Sequence, residues 1–188
     1  MVLNILMFVI CEFTGSTENS EVLIRWGALY TSLVSDGQYW RLFSAMFLHA
    51  GIRHLLNNML LLGALGSAME NLLKPWRYLL VYLGGGLAAN IVSYLVYIHQ
   101  GKTVVSVGAS GCIYAVMGGM IWIIIRGGGR AAGLTLRQML ILTALSLYFG
   151  FVAADVANLT HVAGLIAGFV LSVLLYRRNL CASDRDGV

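Results

Sequence analysis

Long unbroken apolar windows, rather than strict alternation or an amphipathic period, dominate this chain. Residues 78–101, 103–125, 138–154 and 156–176 contain no Lys, Arg, Asp or Glu. Each approaches the roughly 20 residues needed to cross a hydrocarbon core of ~30 Å, so each predicts a membrane-spanning helix. Residues 55–69 form a shorter window bounded in the same way, and residues 1–11 are apolar but shorter again. The opening stretch reads as a first helix with a clipped or mis-set start, because no small-residue cleavage site follows it as a secretion signal requires. The pattern predicts an all-α membrane protein of six spans.

Polar positions fall mainly between these windows. Residues 12–52 make the longest connection and hold Gly15, Ser16, Asn19, Asp36 and Gly37 beside Trp26, Tyr30, Tyr39, Trp40 and Phe43. Aromatic rings favour the headgroup level, so this loop is expected to lie partly in the outer interface. The other connections are short: 71–76 around the only proline, Pro75, then 99–107, then 126–134 with Gly127, Gly128 and Gly129, then a turn near Asp155. The expected organisation is one domain over residues 1–178 and a short polar cytoplasmic tail over 179–188.

Composition agrees with the pattern. Of 188 residues, 59% are hydrophobic and 11% charged, against about half and a quarter in soluble domains. The net charge of +4 would suit an anionic partner, but its distribution points to topology instead. With the amino terminus inside, Lys74, Arg77, Arg126, Arg130, Arg137, Arg177, Arg178 and Arg185 fall on the cytoplasmic side. Only Arg25, Arg41, Arg53 and Lys102 fall outside. That bias predicts both termini in the cytoplasm and gives nucleic-acid binding no support. Cys11, Cys112 and Cys181 are an odd count with no pair spacing, which argues against a disulfide frame or a metal site. Cys112 reads as a small core residue.

Polar side chains inside spans are costly, and so they carry the chemistry. His54, Asn57 and Asn58 lie in span 2, Ser110 in span 4, and Asn158 and His161 in span 6, all three spans running from outside to inside. Ser110 lies 16 residues before Arg126, His161 lies 16 before Arg177, and His54 lies 16 before Glu70. At 1.5 Å per residue all three sit about 24 Å above the cytoplasmic boundary, at one level. Asn58, one turn deeper than His54, shares its face. Gly111, Ala115 and Gly119 on span 4, and Gly164 and Gly168 on span 6, are small-residue stripes that let helices approach backbone to backbone. Packing stripe on stripe brings Ser110 towards His161. A neutral imidazole that takes the serine proton makes a nucleophile for acyl transfer. His54, Asn58 and the Ser110 backbone N–H are candidate oxyanion donors.

Plainer roles stand beside these. A lone serine in a membrane helix commonly packs against its own backbone, and a buried histidine commonly satisfies a neighbour or lines a proton path. Asp155, six residues before His161, either orients that ring or simply occupies a surface turn. His49 would stabilise the first loop, and His99 sits at a span end where an imidazole costs little. What favours catalysis is the joint placement of Ser110, His161, His54 and Asn58 at one depth.

At this point the sequence resembles the rhomboid intramembrane serine proteases. Gly108-Ala109-Ser110-Gly111 resembles their Gly-x-Ser-Gly nucleophile motif, and Tyr114 stands where the family has a tyrosine packed beside the catalytic histidine. His161-Val162-Ala163-Gly164, with Gly168, resembles the span 6 motif. His49, His54 and Asn58 match the span 2 histidine-histidine-asparagine pattern, and Trp40-Arg41 the pair in the first loop. The resemblance runs from about Tyr39 to Arg177. Two features depart from it: the short first helix, and Asn57 where family members often carry an apolar gating residue.

The resemblance implies a six-helix bundle with a water-filled cavity open to the outside, metal-free and needing no cofactor. Ser110 and His161 would be the catalytic pair, His54 and Asn58 the oxyanion donors. Gly108, Gly111, Tyr114 and Asn158 would support the site, while Trp40, Arg41, His49, Gly164 and Gly168 would hold the structure. Substrates would be single-pass membrane proteins cut in or near their transmembrane segment, with span 5 as a lateral gate. The compact form suggests a prokaryotic cytoplasmic membrane. Two other classes remain open: a catalytically inactive relative that binds membrane clients, and a small transporter, which would show inverted repeats not visible here.

Overall fold

The computed structural model describes residues 1–152 and 158–176. Helix α1 is Val2–Thr14. Helix α2 covers residues 51–72, with helical runs Gly51–Leu61 and Ser67–Leu72 flanking a π-turn at Leu62–Gly66. Helix α3 is Pro75–His99, opened by Pro75 in its first turn and interrupted by a second π-turn at Leu80–Gly84. Proline suits that start, because its missing N–H would have no helical partner there. Helices α4, α5 and α6 are Ser110–Arg126, Leu136–Val152 and Asn158–Leu175. Asp155, Arg177, Arg178, Cys181, Arg185 and the tail 179–188 lie outside the described residues.

Two of these helices, α3 and α6, are long and apolar enough to cross a membrane by themselves, whereas α1, α4 and α5 are shorter apolar helices. The six-span expectation is therefore met at full length by two, and the shortfalls have local causes. Helix α4 starts only at Ser110, because Val107 and Gly108 are not helical. Helix α5 starts at Leu136, just after a hairpin over residues 130–135 that pairs β3 (Arg130–Ala131) with β4 (Leu134–Thr135), and is described as far as Val152. The hydropathy of α2 is diluted by Arg53, His54, Asn57 and Asn58.

Helix α4 forms the centre of the packing. It is apolar on every face, and such a helix is stable only when enclosed. Ile113, Met117, Met120, Ile123 and Ile124 are all 1% exposed or less, and they share one core with Leu55, Met59 and Leu65 of α2, Val81 and Tyr82 of α3, and Met139 of α5. The small stripes do what their spacing predicts. A Cβ added at Gly164 would collide with the backbone of Gly111, and one at Gly168 with the backbone of Ala115. Three further glycines were not picked out by spacing. Gly118 lies against Leu165 O, and Gly85 and Gly86 on α3 lie against Ala115 and Cys112. The far sides of α5 and α6 expose Leu140, Leu145, Tyr148, Phe149, Ile166, Val170 and Leu174, a surface suited to lipid.

The first connection is more ordered than a plain loop. It contains short helices Ser20–Arg25, Thr31–Ser35 and Arg41–Ser44. It also holds strand β1 (Leu29–Tyr30), paired antiparallel with β2 (Val105–Ser106) in the register Leu29↔Ser106 and Tyr30↔Val105. Arg41, only 6% exposed, organises it. Its guanidinium donates to Ile24 O at 2.7 Å, Ala28 O at 3.1 Å and Gln38 Oε1 at 2.8 Å, and it lies 4.7 Å from the centre of the Trp40 ring. A buried cation persists only when paired with acceptors in this way. The loop is tied to the bundle by Asn90 Nδ2, which donates to Leu42 O at 2.8 Å.

Candidate active site

Segment 105–109 carries the chain from β2 to the first residue of α4. Gly108 has φ 128°, a left-handed conformation that disfavours any residue with a Cβ. A Cβ there would also come within 2.8 Å of the His54 ring. The segment is held from the loop side: Gly108 N donates to Ala45 O at 2.9 Å, and Ala109 N donates to His49 Nε2 at 3.5 Å. His49 is 1% exposed and lies edge-on to His54, with ring centres 5.2 Å apart. Burial, and to a smaller extent the neighbouring His54, pushes the His49 imidazole down to about 3. His49 is therefore neutral at physiological pH and free to accept.

These restraints put Ser110 at the amino-terminal tip of α4, where backbone N–H groups have no helical acceptor. Across from it, His161 Nε2 lies 2.9 Å from Ser110 Oγ. The stripes make this approach possible, since Gly164 and Gly168 bring α6 onto Gly111 and Ala115 of α4. The His161 ring stacks on Tyr114 one turn below Ser110, with centres 4.3 Å apart and planes 20° apart. Just before His161, Thr160 Oγ1 lies 2.7 Å from Ser93 Oγ of α3 in a buried hydroxyl pair.

The other expected site residues fall as follows. His54 is half-buried beside Gly108. Asn58 is 4% exposed and spends one amide hydrogen on His54 O of its own helix at 3.1 Å. Asn57 is exposed. Gly111 packs under Thr160 and Ala89. Asn158 Oδ1 and His161 Nδ1, one turn apart on α6, are both buried without a hydrogen-bond partner among the described residues. Trp40 and Arg41 act in the loop and do not reach the site. His99 is exposed. Cys112 is buried, its thiol 3.5 Å from Met46 Sδ, as a small core residue should be. Sequence reasoning missed Ser146 of α5, whose Oγ lies 2.8 Å from Tyr114 Oη. Its one available signal was a hydroxyl within an apolar helix.

Residues 36–178 match the Rhomboid domain family. The chain is 33% identical to the Rhomboid protease GluP of Bacillus subtilis (strain 168) over 173 residues, which make up 92% of this chain and 33% of that protein. It is 31% identical to the Putative rhomboid protease YdcA of the same organism over 154 residues, covering 80% of this chain and 74% of that one. It is 35% identical to RHOMBOID-like protein 5 of Arabidopsis thaliana over 162 residues, covering 83% and 50%. The chain thus spans only a third to a half of the length of two of these relatives. Because the relatives are both bacterial and plant proteins, the prokaryotic home expected from compactness has no support. With the family matched over residues 36–178, the chain belongs to the rhomboid family of integral membrane proteins.

Proposed function

We propose that this chain is an intramembrane serine endopeptidase whose nucleophile is Ser110 and whose base is His161. The observation that carries the reading is the 2.9 Å contact between Ser110 Oγ and His161 Nε2. It lies in a half-buried position where a loop-braced glycine leaves the helix tip open. In this reading the chain crosses the membrane six times with both termini in the cytoplasm. It acts on single-pass membrane proteins in the lipid bilayer, and α5 is the side through which they reach the site.

Neutral His161 accepts the Ser110 proton at Nε2 as Oγ attacks the scissile carbonyl. The developing oxyanion is met by the Ser110 backbone N–H, the His54 ring and the remaining amide hydrogen of Asn58. The imidazolium then gives its proton to the leaving amine, the acyl-enzyme forms, and water activated by the same ring releases it. Water must reach this depth, and the non-helical segment 107–109 is the kind of irregular backbone tolerated in a membrane only where it lines a cavity. With Nε2 accepting from Ser110, the single N–H of the neutral ring is on Nδ1. Asn158 Oδ1, one turn away and likewise without a hydrogen-bond partner among the described residues, makes no direct bond to it, and a bridging water would be needed for Asn158 to support the ring.

The test is cleavage of single-pass substrates in liposomes by the native chain beside Ser110→Ala and His161→Ala. Cleavage by the native chain and by neither variant supports the reading. A folded native chain inert on several substrates, or cleavage surviving Ser110→Ala, refutes it and favours a client-binding relative.

A further inference from the structure

Helix α5 is weakly tied to the bundle by polar contacts. Among the described residues, Thr143 Oγ1 donates to Met139 O of its own helix, and Gln138 pairs with Thr135 at the turn. Among the described residues, a side-chain hydrogen bond joins α5 to α4 between Ser146 Oγ and Tyr114 Oη at 2.8 Å. That tyrosine is the ring on which His161 stacks. A continuous path therefore runs Ser146, Tyr114, His161, Ser110 across α5, α4 and α6.

His161 itself is thinly held. Its Nε2 meets Ser110, but its Nδ1 has no partner among the described residues, so the plane of the imidazole depends heavily on the Tyr114 face. Tyr114 is 3% exposed and packed within the core, so its neighbours confine the ring, and the hydroxyl bond to Ser146 fixes the tilt that packing leaves. We propose that Ser146 is a positioning residue: by fixing the Tyr114 hydroxyl it fixes the ring that holds the His161 imidazole in line with Ser110. The pair also makes the catalytic contact sensitive to where α5 stands. This inference rests on the protease reading above.

The test measures kcat and KM for a single-pass substrate with Ser146→Ala, Tyr114→Phe, the double variant and Ser146→Thr. Active sites are titrated by a fluorophosphonate probe, so that misfolded protein does not count. One neutral hydrogen bond sets the scale at about five- to tenfold. Ser146→Ala and Tyr114→Phe should each lower kcat per titrated site by that factor and leave KM unchanged. The double variant should be no worse than either single one, and Ser146→Thr should recover most of the rate. A merely structural role would lower the number of titratable sites and leave the rate per site untouched. Native kcat per site in Ser146→Ala, or additive losses in the double variant, would overturn the proposal while leaving the protease reading intact. A native chain that neither cleaves substrate nor takes the probe would remove both.

Discussion

Replacing Gly168 with alanine should damage catalysis more than folding. A Cβ at this position would fall on the O, C and Cα atoms of Ala115. All three are backbone atoms, so no side-chain rotation relieves the clash. Carbon atoms pack at about 3.5–4.0 Å, so α6 has to move away from α4 by on the order of 1 Å. Overpacking of this kind costs about 1–3 kcal/mol, and the helix propensity gained from alanine returns at most ~1 kcal/mol. Gly168 lies two turns, roughly 10 Å, along α6 from His161, close enough for the shift to reach the site. The Ser110–His161 contact is 2.9 Å, and a few tenths of an ångström take it past the ~3.2 Å limit of a good hydrogen bond. A misplacement of 1 Å can lower the rate about 100-fold. The expectation is a stability loss of about 1–2 kcal/mol and a fall in kcat approaching 100-fold. Thermal unfolding in detergent and cleavage per titrated site measure the two separately. Gly84→Ala is the control, since its Cβ would meet only Leu171 Cδ1 at 3.6 Å. Cleavage by Gly168→Ala within about threefold of native, with an unchanged unfolding temperature, would show that the close approach of α6 to Ala115 does not set the Ser110–His161 geometry.

Three other outcomes are expected. Arg41→Gln should lower the unfolding temperature by an amount equivalent to about 2–4 kcal/mol, because the carbonyls of Ile24 and Ala28 lose a charged donor; an unchanged melt would show that the guanidinium does not brace the loop. Thr160→Val should cost about 1–3 kcal/mol by leaving Ser93 Oγ unpaired, and adding Ser93→Ala should recover part of it, a recovery that a thermal melt detects and whose absence contradicts the pairing. Stability should fall on acidification because His49 is held neutral to about 3 in the fold but titrates near 6.5 when unfolded. Between those values the unfolded chain binds the extra proton, so stability is full above about pH 6.5 and falls by up to ~1.4 kcal/mol per pH unit below it. His49→Gln should flatten that slope in melts from pH 7 to 5, and an equal slope in both proteins would exclude His49 as its source.

The parts of this site that could be read from the sequence were those with a spacing signature. Counting back from Arg126 and Arg177 put Ser110 and His161 at one depth, and the small stripes named the faces of α4 and α6 that meet. The Trp40-Arg41 pair was recognisable as a motif, although its buried acceptors were not. Contacts between distant positions left no such trace. Ser146 looks like any packing serine until α5 is laid beside Tyr114, and Gly118, Gly85 and Gly86 gain meaning only from the backbones opposite them. The two π-turns lie in residues that read as ordinary helix, and their Leu62, Leu65, Val81 and Tyr82 join the core around α4. Charge-free windows gave the positions of the helices well but their crossing lengths poorly, since a window says nothing about where the backbone stops being helical.

The most direct measurement is the site of covalent labelling. The native protein in liposomes is treated with a fluorophosphonate, digested and analysed by mass spectrometry, beside His161→Ala. The expected result is a single adduct on Ser110 in the native protein and about a 100-fold or greater loss of labelling rate without His161. An adduct on another residue, or equal labelling of Ser110 when His161 is absent, would contradict it.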